Sequence, residues 1–145
     1  MARFIHTWLK SSVILCLLSP QTAVSAPDKS FVQFQLCSSA PRINCVVDGD
    51  TFWLNGEKIR LADIDTPETF QPRCEREHIL GKRATSAFIT LLNLGPVQLQ
   101  QKGRNQDRYG RSLRIVERNG QSLGRQLIDK KLAMAWTGRR GNWCD

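Results

Sequence analysis

Histidine is almost absent from this chain: His6 and His78 are the two in 145 residues. With His78 alone beyond residue 26, a two-histidine catalytic system is excluded, and no serine triad is in view. C-x-x-C pairs are also lacking, which argues against a zinc site of cysteine and histidine. No apolar run reaches the roughly 20 residues that a bilayer core requires. There is no internal repeat, and the one biased stretch is a Gly/Arg-rich end at 137–141. Acid is the scarcer sign of charge, with 13 Asp and Glu against 21 Lys and Arg and a formal net charge of +8. Such a balance draws a protein to polyanions, meaning nucleic acid, anionic lipid or acidic polysaccharide.

What is present begins with a leader. Arg3 and Lys10, the run Val13-Ile14-Leu15-Cys16-Leu17-Leu18 and the small residues Val24-Ser25-Ala26 have the layout of a secretory signal. The expectation is a signal peptide over 1–26, cleavage after Ala26, and a secreted or periplasmic domain over 27–145 with no stable membrane association. Loss of Arg3 and Lys10 would leave a charge of +6, and 119 residues suffice for one modest core, expected as a monomer.

Four cysteines follow the leader, Cys37, Cys45, Cys74 and Cys144. An even count in a small exported domain predicts two disulfides, with three connectivities open. The expected pairing joins Cys45 to Cys74, tying a strand to the long helix, and Cys37 to Cys144, clipping the chain ends.

The scarce acids are not evenly spread. Asp48, Asp50, Asp63, Asp65 and Glu68 crowd around Arg60 between positions 48 and 68. Like charges held that close repel unless a cation sits among them or their pKa values rise, so a bound hard metal is the economical explanation. Strand signals run through 45–47, then 51–54 and 58–64 joined across Asn55-Gly56, the strongest two-residue hairpin signal. Pro67 ends that run. A helix is predicted over 75–92, with Ala84, Phe88, Leu91 and Leu92 as its core stripe. A strand over 97–102, a basic loop at 103–111, a second hairpin across Asn119-Gly120 and a short helix over 124–131 complete the reading. Five or so strands with a helix between the third and fourth suit an α+β, mainly β domain: a five-stranded Greek-key barrel of the oligonucleotide-binding (OB) type.

The strings Val47-Asp48-Gly49-Asp50-Thr51, Arg60-Leu61, Ile64-Asp65-Thr66-Pro67-Glu68 and Asp107-Arg108-Tyr109-Gly110-Arg111, in that order and spacing, resemble those of the staphylococcal nuclease (thermonuclease) family across roughly residues 43–136. The resemblance implies an OB-type barrel carrying a calcium-dependent phosphodiesterase that hydrolyses single-stranded DNA and RNA to 3′-phosphate products. By position, it implies Asp50, Asp65 and the Thr66 carbonyl as calcium ligands. Glu68 matches the residue that positions or deprotonates the attacking water, and Arg60 and Arg111 match the pair gripping the scissile phosphate. Arg108 and Tyr109 match ligand contacts, although lysine stands at the first of these in the family's type member. The family's C-terminal helix is missing and only Trp136 falls near its pair of stacking tyrosines. Disulfides would supply the stability lost with that helix.

Independent chemistry agrees. Calcium accepts several oxygen ligands in irregular geometry, and bidentate guanidiniums compensate the charge that accumulates on phosphoryl oxygens. Asp48 is expected to brace the turn at Gly49. Asp63 shares a face with Asp65, so it either supports the metal or faces solvent. Arg104, Arg108 and Arg114 form either a solvated face or a nucleic-acid contact, while Trp53, Trp136 and Trp143 are expected in core or edge packing. Two other functions stay open: a noncatalytic OB-type polyanion-binding module, and an exopolysaccharide-associated accessory protein.

Overall fold

The computed structural model describes residues 31–145; the leader expected over 1–26 lies outside the described residues. The chain is α+β and mainly strand. It runs β1 (Cys45–Asp48), β2 (Thr51–Leu54), β3 (Glu57–Leu61), β4 (Ile64–Asp65), α1 (Glu75–Leu92), β5 (Gln98–Gln100), β6 (Ser112–Arg118), β7 (Gln121–Ser122), α2 (Leu123–Asp129) and β8 (Met134–Ala135).

Both Asn-Gly pairs make the predicted turns. Asn55 and Gly56 have φ of 52° and 81°, and Asn119 and Gly120 have 52° and 75°, the left-handed pair that matches the twist of the flanking strands. The first turn sets β2 against β3 with Thr51 opposite Arg60. The main sheet runs β1-β2-β3-β6-β5, with β7 added beside β6. Because β3 and β6 are parallel, with Arg60 beside Leu113, the loop that leads into β6 arrives next to Arg60. This order and the helix packed across it make a partly open OB-type barrel.

The expected strand over 58–64 is two strands. The ladder ends at Leu61, and a bend at Ala62 and Asp63 turns Ile64 and Asp65 away to pair with Ala135 and Met134 of β8. That break carries Asp65 toward the end of the chain.

α1 buries Ala84, Phe88, Leu91 and Leu92, the stripe expected from its periodicity. Phe88 meets Phe52 edge-on at 5.5 Å and Phe52 meets Phe34 at 5.8 Å, a geometry that adds about 0.5–1.5 kcal/mol beyond burial. No basic residue stands in the last turn of α1; instead Arg118 reaches over from β6 and donates to the carbonyls of Leu91, Leu92 and Gly95, satisfying acceptors that a helix end leaves free.

The cysteine pairing differs from the expected one. Cys37 is joined to Cys45 with Cα atoms 4.9 Å apart, and Cys74 to Cys144 at 5.9 Å. Residues before β1 run alongside it, with Cys37 N donating to Val46 O and Val46 N to Gln35 O, so Cys45 already has its partner. Cys74, the N-cap of α1, takes the chain's last cysteine instead.

Candidate active site

The β1–β2 turn places the first carboxylates. Asp48 accepts from the Asp50 N–H at 3.2 Å, bracing the turn as expected of it. A Cβ on Gly49 would stand 2.8 Å from the Ala84 Cβ and 3.0 Å from the Thr66 side chain, so only glycine lets the turn lie on α1. Asp50 is buried and accepts from the Thr51 hydroxyl at 2.9 Å. Burial, with the Asp50 charge second, pushes the Asp48 carboxyl up to about 7.

Arg60 gathers the acids. Its Nη2 lies 3.1 Å from Asp50 and 3.8 Å from Asp65, while Nη1 donates to Leu61 O at 2.8 Å and Ile64 O at 3.3 Å. Its guanidinium also stands 5.0 Å from the ring centroid of Trp136. Asp65 is buried and accepts from the Gly141 N–H at 3.0 Å and Trp143 Nε1 at 3.3 Å.

The loop before β6 is clamped by Asp107, which accepts from the N–H groups of Tyr109 and Arg111 and pairs with Arg111 Nε at 2.7 Å. Burial would push the Asp107 carboxyl up, but these donors outweigh it and hold it below its usual value. The clamp directs Arg111 Nη1 to within 3.4 Å of the Thr51 hydroxyl. Tyr109, 68% exposed, is flanked by the guanidiniums of Arg108 at 4.8 Å and Arg111 at 5.5 Å.

Asp50, Arg60, Glu68, Arg108, Tyr109 and Arg111 all line one cleft of about 790 Å³. Asp65 sits just beneath, through its shared contact with Arg60, and Thr66 is buried beside the Gly49 turn. Asp63 turns the other way: its Oδ2 accepts from the hydroxyl of Ser122, the N-cap of α2, at 2.8 Å. It therefore neither supports a metal nor faces solvent, because the break after β3 rotates it from the Asp65 face. Arg104 joins Arg108 at the cleft, whereas Arg114 donates to the carbonyls of Asn105 and Leu113 and braces the loop. Glu57, a further acid of the 48–68 stretch, leaves it for Ser112 and Arg114.

Trp143 packs inside and Trp53 is half-buried, but Trp136 corrects its expectation. It is 39% exposed and lines the cleft. Sequence reasoning also missed Arg140. This residue pairs with Glu68 and stands 3.8 Å from Asp65. Burial pushes the Glu68 carboxyl up, Arg140 lowers it, and the net shift is upward with Asp50 and Asp65 contributing. Arg140 reaches the site because the Cys74–Cys144 bridge pins the end of the chain across it; the only sequence signal was a cysteine four positions on.

Among the described residues no three Asp, Glu, His or Cys side chains form a ready-made metal cage. Asp50 and Asp65 nevertheless share one cation already, Arg60, and every nearby donor is oxygen. The set fits a hard ion such as calcium, completed by a carbonyl and water, and not a soft one.

The family profile described as Staphylococcal nuclease homologue matches residues 58–142, more than half of the chain. The chain is 38% identical over 93 residues to Endonuclease YncB of Bacillus subtilis, covering 60% of this chain and 43% of that protein. It is 33% identical over 92 residues to the Thermonuclease of Staphylococcus hyicus (61% and 51%). It is 34% identical over 89 residues to the Succinoglycan biosynthesis protein ExoI of Rhizobium meliloti (58% and 46%). The chain spans about half or less of the length of these relatives.

Proposed function

The chain belongs to the staphylococcal nuclease family, and on that premise we propose that it is an exported, calcium-dependent phosphodiesterase that cleaves single-stranded DNA and RNA to 3′-phosphate products. The observation that carries this is the convergence of two guanidiniums, Arg60 and Arg111, with the carboxylates Asp50, Asp65 and Glu68 from separate segments of chain around one basic cleft. Two relatives are named as nucleases.

Arg60 and Arg111 donate to phosphate oxygens, and their charge is fixed because a guanidinium never loses its proton at working pH. Both are held by acids, Asp50 and Asp107, so their positions are set before substrate arrives. Glu68, lifted by burial, is suited to take a proton from water at the phosphorus. Asp50, Asp65 and the Thr66 carbonyl would hold the calcium ion. When bound, calcium supplies further positive charge beside the phosphoryl oxygens. Tyr109 and Trp136 present ring faces on which bases can stack. The paired cysteines support an oxidising compartment outside the cytoplasm.

A gel assay of the purified protein on single-stranded DNA and RNA, with calcium and with chelator, tests this. Cleavage is expected with calcium alone; equal cleavage in excess chelator would overturn the metal assignment, and no cleavage in either would overturn the activity. The relative named for succinoglycan biosynthesis favours a second reading, an exopolysaccharide-associated role. Degradation or tight binding of acidic exopolysaccharide without cleavage of nucleic acid would select it.

A further inference from the structure

A second basic groove of about 400 Å³ lies between α1 and the end of α2. Arg76 and Arg83 flank it from one face of α1, seven positions apart and so separated by about 10 Å along the axis. Lys130 and Lys131 flank it from the other side. All four are exposed, and among the described residues none takes part in an ion pair or a side-chain hydrogen bond. Asp145 is the one acid at this groove, and it is engaged by Asn142. Lys131, the position after the C-cap of α2, has a φ of 60°, where glycine is the usual occupant. A lysine kept in that conformation places a second charge at the groove that the local backbone does not call for.

The groove is not isolated. A third hollow of about 620 Å³ shares Met134 and Asn142 with it and Arg140 with the active-site cleft, and adds Arg139. A track of six cations therefore leads from the cleft, across Arg140 and Arg139, to Lys130, Lys131, Arg76 and Arg83. Its apolar floor includes Trp143, which is 6% exposed, so the groove offers no ring on which a base could stack. Exposed cations without an aromatic platform recognise a charged backbone and not the bases along it.

We infer that this track is an extended binding site for the phosphodiester backbone of a single strand whose scissile bond lies in the cleft. The inference rests on the nuclease reading for its ligand. Continuity with the cleft, through Arg140, favours nucleic acid over other polyanions. A dinucleotide fills the cleft alone, whereas an oligonucleotide of 30 residues also occupies the track.

The test uses the chain carrying Arg76→Gln, Arg83→Gln, Lys130→Gln and Lys131→Gln. Binding of fluorescent 30-residue oligo(dT) is measured by anisotropy in chelator, and turnover of oligo(dT) and of a thymidine dinucleotide in calcium. The slope of log Kd against log salt should fall by about 2.8, at 0.7 per phosphate contact on a single strand. Dinucleotide kcat/KM should stay unchanged. An unaltered affinity and slope for the 30-residue strand overturns the inference. So does a variant that loses binding of dextran sulfate while keeping that of oligo(dT), which would assign the groove to acidic polysaccharide. Lys131→Gly guards against misfolding, since glycine relieves the positive φ; it alone should lower the slope by about 0.7. Failure of the parent protein to cleave either substrate refutes the nuclease reading, while the anisotropy still decides the groove.

Discussion

Removing the bridge that pins the end of the chain should cost more than removing the one before β1. Replacing Cys74 and Cys144 together by serine opens a link across a sequence separation of 70, for which the chain-entropy model gives about 4.4 kcal/mol. The same change at Cys37 and Cys45 opens a separation of 8, worth about 2.6 kcal/mol. Serine is the replacement of choice because Cys74 accepts the Glu77 N–H as the helix N-cap, and a hydroxyl preserves that cap. At about 4 °C per kcal/mol for a domain of this size, the two double variants should melt about 18 °C and about 10 °C below the parent. The activities should separate as well. The first variant frees the segment that gives Asp65 two of its donors and Glu68 its arginine, so turnover should fall even where the protein is fully folded. The second acts at the end of β1 opposite Asp48 and should leave turnover unchanged. Urea melts and cleavage of single-stranded DNA at 15 °C, with calcium added, measure both effects. An N-terminal bridge that costs as much as the other, or full activity without Cys74–Cys144, would refute the reasoning.

Arg60→Lys and Arg111→Lys should each slow turnover about 10²- to 10³-fold with the fold intact, because a point charge cannot replace a planar fork; full activity of Arg111→Lys removes it from the phosphate site. Gly49→Ala should destabilise by about 1–3 kcal/mol through its clash with Ala84, and Ala84→Gly added to it should recover part of that loss in a double-variant cycle, whereas strict additivity would place the clash elsewhere. Glu77 is 1% exposed; burial pushes its carboxyl up, but the N–H and guanidinium of Arg73 hold it below its usual value. A depressed folded pKa gives stability that is present above the unfolded value near 4.3 and is lost as pH falls through the folded value. The stability gap between the parent and Glu77→Gln should therefore narrow on acidification from pH 6 to pH 3, and a gap constant with pH would show that the charge contributes nothing.

Features governed by short-range rules were legible from the chain alone. Two Asn-Gly pairs specify two hairpins because few residues accept a left-handed φ twice running. The stripe from Ala84 to Leu92 specifies the buried face of α1, and the ordered strings around Asp50, Arg60, Asp65, Glu68 and Arg111 named residues that the structure brings around one cleft. What no window could reveal depends on residues far apart in sequence. Four cysteines allow three pairings, and only the path of residues 34–37 beside β1 and of the last residues over α1 selects one. Asp63 and Asp65 share a face in an unbroken strand, but the bend at Ala62 and Asp63 interrupts that strand and parts them. Trp136 enters the cleft on the register of β8, and Arg140 on a cross-link to a helix cap 70 positions earlier. Pattern determined most of the elements and named the candidate residues; tertiary pairing decided which cations meet which acids, because that depends on distances that sequence separation does not encode.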